Sequence, residues 1–221
     1  MSESDTNDKP TYLQLLVFTD CTDANSLSVH LSRLNFGCFL FKDLSDPQGL
    51  GVLAVANDPE QIVSDLRDLL SQRLFRVLML RHERTMTART PAGGGPSREE
   101  LEAMLGNEEW PWAMWYPMRG TASLSDLDEH LKGPVFERMI DSAGAKRTDF
   151  GRVLLRSHGL DAHGNEFMQG LHGSDLGQLS RVVEASRQTP LHAEYVASSG
   201  PFFVGRAIHK ERIAGTGRAR W

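Results

Sequence analysis

The chain has 221 residues, enough for a sizeable core in one or two domains, and its 40% hydrophobic and 24% charged content is that of a globular protein. A formal net charge of −5 argues against a phosphate-binding surface, so nucleic acid is not an expected partner. Every long apolar stretch is cut by charge or glycine before the roughly 18 residues that a membrane span needs, and Cys21 and Cys38 form neither a CxxC nor a Cys/His ligand spacing.

In chain order, MSESDTNDKP (residues 1–10) is polar and acidic and reads as a disordered N-terminus without a signal peptide, which predicts an unexported, cytoplasmic protein. YLQLLVFT, from Tyr12 to Thr19, predicts a buried strand. Leu27, Leu31 and Leu34 then recur at helical spacing, with Asp23 and Asn25 as candidate caps. FGCFLFKDL predicts a second strand, SDPQG a turn and GLGVLAVA a third strand. Asp58-Pro59-Glu60-Gln61 supplies a cap, a proline at the first helical position and a reciprocal glutamine, followed by the apolar stripe Ile62, Leu66, Leu69 and Leu70. FRVLMLRH, from Phe75 to His82, predicts a fourth strand, and the order β-α-β-β-α-β is ferredoxin-like.

ARTPAGGGPS (88–97) has loop composition, and Ser97 with Glu100 has the capping-box spacing for a short helix through Leu105. EEWPWAMWYPMRG is expected to be irregular; its Trp110, Trp112, Trp115 and Tyr116 either plug the core or frame a groove for a large flat apolar ligand. The second half repeats the plan with DFGRVLLRSHG, NEFMQGLHG, a helix carrying Leu176, Leu179 and Val183, and GPFFVGRAI. Asp175 and Gln178 repeat the spacing of Asp58 and Gln61. The predicted fold class is α+β: two ferredoxin-like halves, 11–118 and 119–209, followed by a tail, 210–221. They are expected to form a dimeric-type α/β barrel, with antiparallel sheets and helices on the outer face.

The succession WPWAMWYPMR, HGLD, GSDLGQLSRVVEASRQT and EYVASSGPFFVGR, with ERTMTART after the fourth strand, resembles the chlorite dismutase family from about Tyr12 to Arg206. That family includes chlorite dismutases and the coproheme decarboxylases of bacterial heme synthesis. The resemblance implies a homopentameric ring and oxidoreductase chemistry of peroxidase or coproheme decarboxylase type. It also implies heme b or coproheme in the C-terminal half, against the sheet and under a helix that supplies an axial histidine. Tyr116 stands at the tyrosine of the YPM motif, a radical relay in the decarboxylases, and a phenol suits that role because it can lose an electron and a proton together. Arg119, in place of that family's basic cluster, is the candidate partner of a propionate, while the lysine expected four residues after the tyrosine is Gly120 here. Trp112, Trp115, Phe150, Leu154 and Met139 are the implied porphyrin-lining side chains.

The position implied for the axial histidine falls near Glu137, and none of Glu137, Arg138, Met139 and Ile140 is a histidine. Three substitutes stand in the sequence: His130, on one helical face with Leu127 and Leu131; the Met139 sulfur; and the Glu137 carboxylate. His130 lies beyond Gly133-Pro134, which is expected to interrupt a helix. Strand alternation puts Phe150, Arg152, Leu154 and Arg156 on one face, and Arg152 is the candidate catalytic cation for an anionic oxidant, unless a carboxylate pairs it. The remaining histidines are scattered without metal spacing. Two functions remain open at this point: a heme or coproheme oxidoreductase, and a heme-free structural or binding paralogue that keeps the homo-oligomeric scaffold. A heteromeric partner that supplies the missing ligand is a further alternative.

Overall fold

A computed structural model of the chain describes residues 9–72, 75, 77–91, 96–141 and 150–211. The first eight residues and the tail from 212 onward, on which the expected N-terminal disorder and most of the C-terminal tail fall, lie outside the described residues.

The first half is built from β1 (Tyr12–Thr19), α1 (Ala24–Leu31), β2 (Gly37–Asp43), β3 (Leu50–Ala56), α2 (Gln61–Leu70), β4 (Met79–Leu80) and β5 (Met86–Arg89). Local chemistry sets the helix starts. The Asp23 carboxylate accepts from the Ser26 N–H and opens α1, and the Asp58 carboxylate accepts from the Glu60 N–H ahead of α2. The first part of α2, Gln61–Leu66, is wound as a π-helix, and the Gln61 side chain reaches Asn35 instead of returning to the cap.

One expectation is corrected here. FRVLMLRH is not a full fourth strand: only Met79–Leu80 pairs, at the far end of β1, while β5 takes the place beside Tyr12–Leu15. The physical reason is burial. Met86 and Ala88 of β5 alternate into the core, whereas Phe75 is tucked under the first sheet by a turn in which its N–H donates to Gln72 and its carbonyl accepts from Leu78.

After α3 (Arg98–Leu105), opened by the expected Ser97/Glu100 capping box, the second half follows. It comprises β6 (Trp112–Gly120), α4 (Ala122–Ser125), α5 (Glu129–Asp141), β7 (Phe150–Arg156), β8 (Phe167–Gly173), α6 (Leu176–Arg187), α7 (Pro190–Tyr195), β9 (Val196–Ser199) and β10 (Phe203–Glu211). The segment expected to be irregular is therefore a nine-residue strand, β6, paired with β8, β9 and β10 and straddling the expected boundary at 118/119. Pro117 has no N–H to donate, yet its carbonyl accepts from the Gly200 N–H, so the strand continues through it. Likewise α5 runs through Gly133-Pro134, the expected break. Pro134 sits just past the first turn, where few ladder bonds precede it, and a Cβ at Gly133 would meet open space. GPFFVGRAI resolves into a turn at Gly200–Phe202 and β10, with β9 before it.

Strand order is β5-β1-β3-β2 in the first half and β7-β8-β6-β9 in the second, the ferredoxin-like arrangement twice. Two seams join the halves. One is slender, with a single register pair between β5 and β7, Arg89 opposite Arg156. The other is β10, which pairs with β2 on one side and β6 on the other and so returns the sheet upon itself. All strand pairings are antiparallel.

Alternation divides the core in three. Leu13, Leu15, Phe39, Phe41, Trp115, Leu155 and Phe203 fill the space enclosed by the sheet, where α3 adds Leu101 and Leu105. A second cluster lies between the first half's strands and α1–α2, and a third between the second half's strands and α4–α7. Gly170 makes room for the largest of these side chains, since a Cβ there would collide with the Trp115 ring lying across it.

A buried ion pair ties the halves where β10 begins. Arg84 pairs with Asp43, whose side chain is 1% exposed, and also donates to the Phe202 carbonyl at 3.1 Å. Among the described residues no helix is long and apolar enough to cross a membrane.

Candidate functional site

The side chains most able to do chemistry collect in the second half, between its sheet and the helices that cover it. Period-two alternation along β6 sends Trp112, Met114, Tyr116 and Met118 toward the helices and Ala113 and Trp115 into the enclosed core. In the register of β6 with β8, Tyr116 stands opposite Gln169. Over this pair α5 lays Phe136 and Met139, α6 brings Arg187, and α7 brings His192.

Tyr116 is 6% exposed and stacks on Phe202, ring centroids 4.5 Å apart at 29°. Burial raises its phenol pKa above the ordinary value, and the Arg187 charge opposes that rise. Among the described residues no protein hydrogen bond holds the Tyr116 hydroxyl. Gln169 is buried, and its Nε2 donates to the carbonyls of Val153, at 3.0 Å, and Gly170, at 3.3 Å, while among the described residues its oxygen accepts no hydrogen bond. Arg187 crosses the rim: its Nη2 donates to Ser199 Oγ at 3.2 Å and its guanidinium lies 5.8 Å from the Phe202 ring centre. His192 is half-buried, and burial first, then the nearby Arg187 charge, lowers its pKa. The imidazole is thus held in the neutral form, which can both donate and accept.

The cleft these groups line is narrow. It leaves about 10 Å³ to the centre of a water-sized sphere, within about 330 Å³ of space that includes its open mouth. That is the room of roughly one water. Phe136 leans on Phe167, ring centroids 4.7 Å apart, and Met139 is 1% exposed, so α5 is seated against the sheet.

Of the side chains singled out in the sequence, Tyr116 and Met139 meet in this cleft. Phe150, Leu154 and Trp112 belong to the same apolar cluster. Trp115 stands on the other side of the sheet, edge-on to His172 at 5.4 Å, inside the enclosed core. Arg119 is exposed at the end of β6, where its Nη2 donates to the His163 carbonyl at 2.5 Å. Arg152 faces Asp141 at the end of α5, nitrogen to oxygen 3.6 Å, the carboxylate partner that its sequence position left open. His130 is exposed on α5, and the Glu137 side chain lies outside the described residues. No group of three or more His, Cys, Asp or Glu placed to hold a metal ion occurs among the described residues.

Sequence reasoning missed Gln169, Arg187 and His192. Gln169 carried a signal, being the polar residue between Phe167 and Leu171 on the buried face of a strand. His192 sits behind Thr189-Pro190, a legible cap and first turn, but nothing in the sequence turns that helix toward Tyr116.

No protein-family model and no curated protein matches the sequence. Among solved structures, the chain is similar to chlorite dismutase from Candidatus Nitrospira defluvii in complex with imidazole, with a TM-score of 0.68, 17% identity, and 89% of this chain and 90% of that chain covered. An arginine-to-lysine variant of the same enzyme gives a TM-score of 0.68 at 16% identity, covering 91% of this chain and 92% of that one. A tryptophan-to-phenylalanine variant in complex with cyanide gives 0.68 at 17%, covering 89% and 90%. At such identities the likeness establishes the fold.

Proposed function

We propose that this chain, which folds as chlorite dismutases do, is a heme-free protein of that architecture, a binding scaffold in place of a heme-dependent oxidoreductase. The observation that carries this reading is the packing under α5. Phe136 and Met139 pack in the gap between that helix and the sheet, and among the described residues the cleft they line beside Tyr116 has room for about one water.

The donor set argues the same way. Heme iron is held by His, Cys, Met or Tyr side chains at close range. His130, the one histidine of α5, is exposed, and the Met139 sulfur is packed in the apolar cluster. Arg119, expected to hold a propionate, is engaged by a loop carbonyl at the surface. Heme b and coproheme therefore do not fit the described residues. The assembly that goes with this reading is a homo-oligomeric ring of cytoplasmic location, and sedimentation of the purified chain measures its size.

One observation favours the competing reading, a heme or coproheme oxidoreductase with Tyr116 and Arg152 in catalytic roles: the neutral His192 imidazole lines the same cleft as Tyr116. Absorption titration of the purified protein with hemin and with coproheme separates the two. The heme-free reading expects no saturable Soret shift at equimolar ligand. A stoichiometric shift that disappears in His192→Ala overturns it and assigns the ligand.

A further inference from the structure

We infer that the cleft between Tyr116 and Arg187 is a binding site for a small free carboxylate, one oxygen of which enters the cavity toward Tyr116 while its charge is met at the rim by Arg187. This names a ligand class for the heme-free site proposed above and rests on that reading.

The first argument is an unused donor. The Tyr116 hydroxyl sits on a side chain 6% exposed, lines the cavity, and has no protein hydrogen bond among the described residues. The hydroxyl oxygen is not among the fully buried polar atoms left without a partner, so it opens to the cleft, where a water or a ligand can answer it. The room beside it, about 10 Å³ for the centre of a water-sized sphere, suits a water or the oxygens of a small acid.

The second argument is charge. The chain as a whole is acidic, at −5, but among the described residues no aspartate or glutamate lines this cleft, while a guanidinium stands at its rim. Arg187 is pre-oriented: Ser199 accepts from one nitrogen, and the guanidinium lies near the Phe202 ring, on which the Tyr116 ring stacks. A guanidinium fixed in this way loses little freedom on pairing with a carboxylate. The third argument is division of labour. His192 and Ser199 offer donors on the α7–β9 side, and Val183 and Val196 stand beside them as apolar walls. A monoanion satisfies this set, whereas a dianion would leave one charge against aliphatic side chains.

The test uses acetate as the probe on the full-length protein, with selectively labelled tyrosine and histidine observed by NMR. Saturable shifts of the Tyr116 and His192 ring signals are expected in the wild type. Tyr116→Phe keeps the ring stack and removes the donor, and it should weaken acetate by about tenfold. Arg187→Gln, at an exposed position that leaves the core untouched, should abolish saturation; Arg187→Lys should recover part of it because the charge returns without the fork. Shifts that fail to saturate in the folded wild type, or saturation of equal strength in the Tyr116→Phe and Arg187→Gln variants, overturn the inference. The hemin titration is separate: a Soret shift there defeats the heme-free reading, whereas loss of acetate binding alone defeats only the ligand assigned here.

Discussion

The two halves follow one backbone plan and cover their sheets differently. Under α1 and α2 the first half presents Leu16, Phe18, Leu40, Val52 and Ala54 to Leu27, Leu31, Ile62 and Leu66, a nearly unbroken aliphatic and aromatic layer. Under α5, α6 and α7 the second half sets Tyr116 and Gln169 in the corresponding layer and brings Arg187 and His192 to its edge. A ferredoxin-like half needs only the first kind of layer to be stable, so the polar groups of the second are not explained by folding. A fold hosts chemistry where its side chains depart from what packing asks, and of these two helix-covered layers it is the second that departs.

The largest expected effect breaks the apolar layer. Leu27, at 0% exposure on α1, should cost about 3 kcal/mol as Leu27→Ala, because the transfer energy is lost and a cavity remains. Gln169→Leu in the other half should cost only about 1 kcal/mol: the hydrogen bonds to Val153 and Gly170 go, but an apolar side chain suits the surrounding cluster. Urea midpoints of the two variants measure the contrast. A larger loss from Gln169→Leu than from Leu27→Ala would make the polar residue a structural one and erase the distinction between the layers.

Much of this architecture is legible in the sequence because it depends on local, periodic signals. The caps at Asp23, Ser97 and Asp175 act where their spacing predicts, and alternation from Phe150 correctly puts Phe150 and Leu154 on the face that meets the helices. What failed to read through has physical causes. Pro111 and Pro117 flank a run of large aromatics, a composition that argues against a central strand, yet the missing donor at Pro117 is tolerated while its carbonyl still pairs with Gly200. Reading that run as irregular hid a simple consequence: Trp112 and Trp115, three residues apart on a strand, must face opposite sides, so they cannot line one groove. The meeting of Tyr116 with His192 depends on how α7 is carried against β9, a long-range packing outcome with no local signal.

The smallest expected effect sharpens the comparison through a proton. Burial holds the His192 imidazole below its ordinary pKa of 6.5, with the Arg187 guanidinium as the second cause. The unfolded chain, titrating near the ordinary value, therefore binds this proton in a range where the native protein does not. Where the unfolded state binds more protons, stability rises with pH. The contribution of His192 is thus fully present above about pH 6.5 and is lost as the pH falls from there through the native value. Melting temperatures of wild type and His192→Gln between about pH 7.5 and pH 5 isolate it, since most other titrating groups are common to both. The wild type should lose more stability than the variant over that interval. Parallel curves would mean that His192 stays solvated in both states, leaving Tyr116 and Gln169 without a titratable neighbour in the cleft.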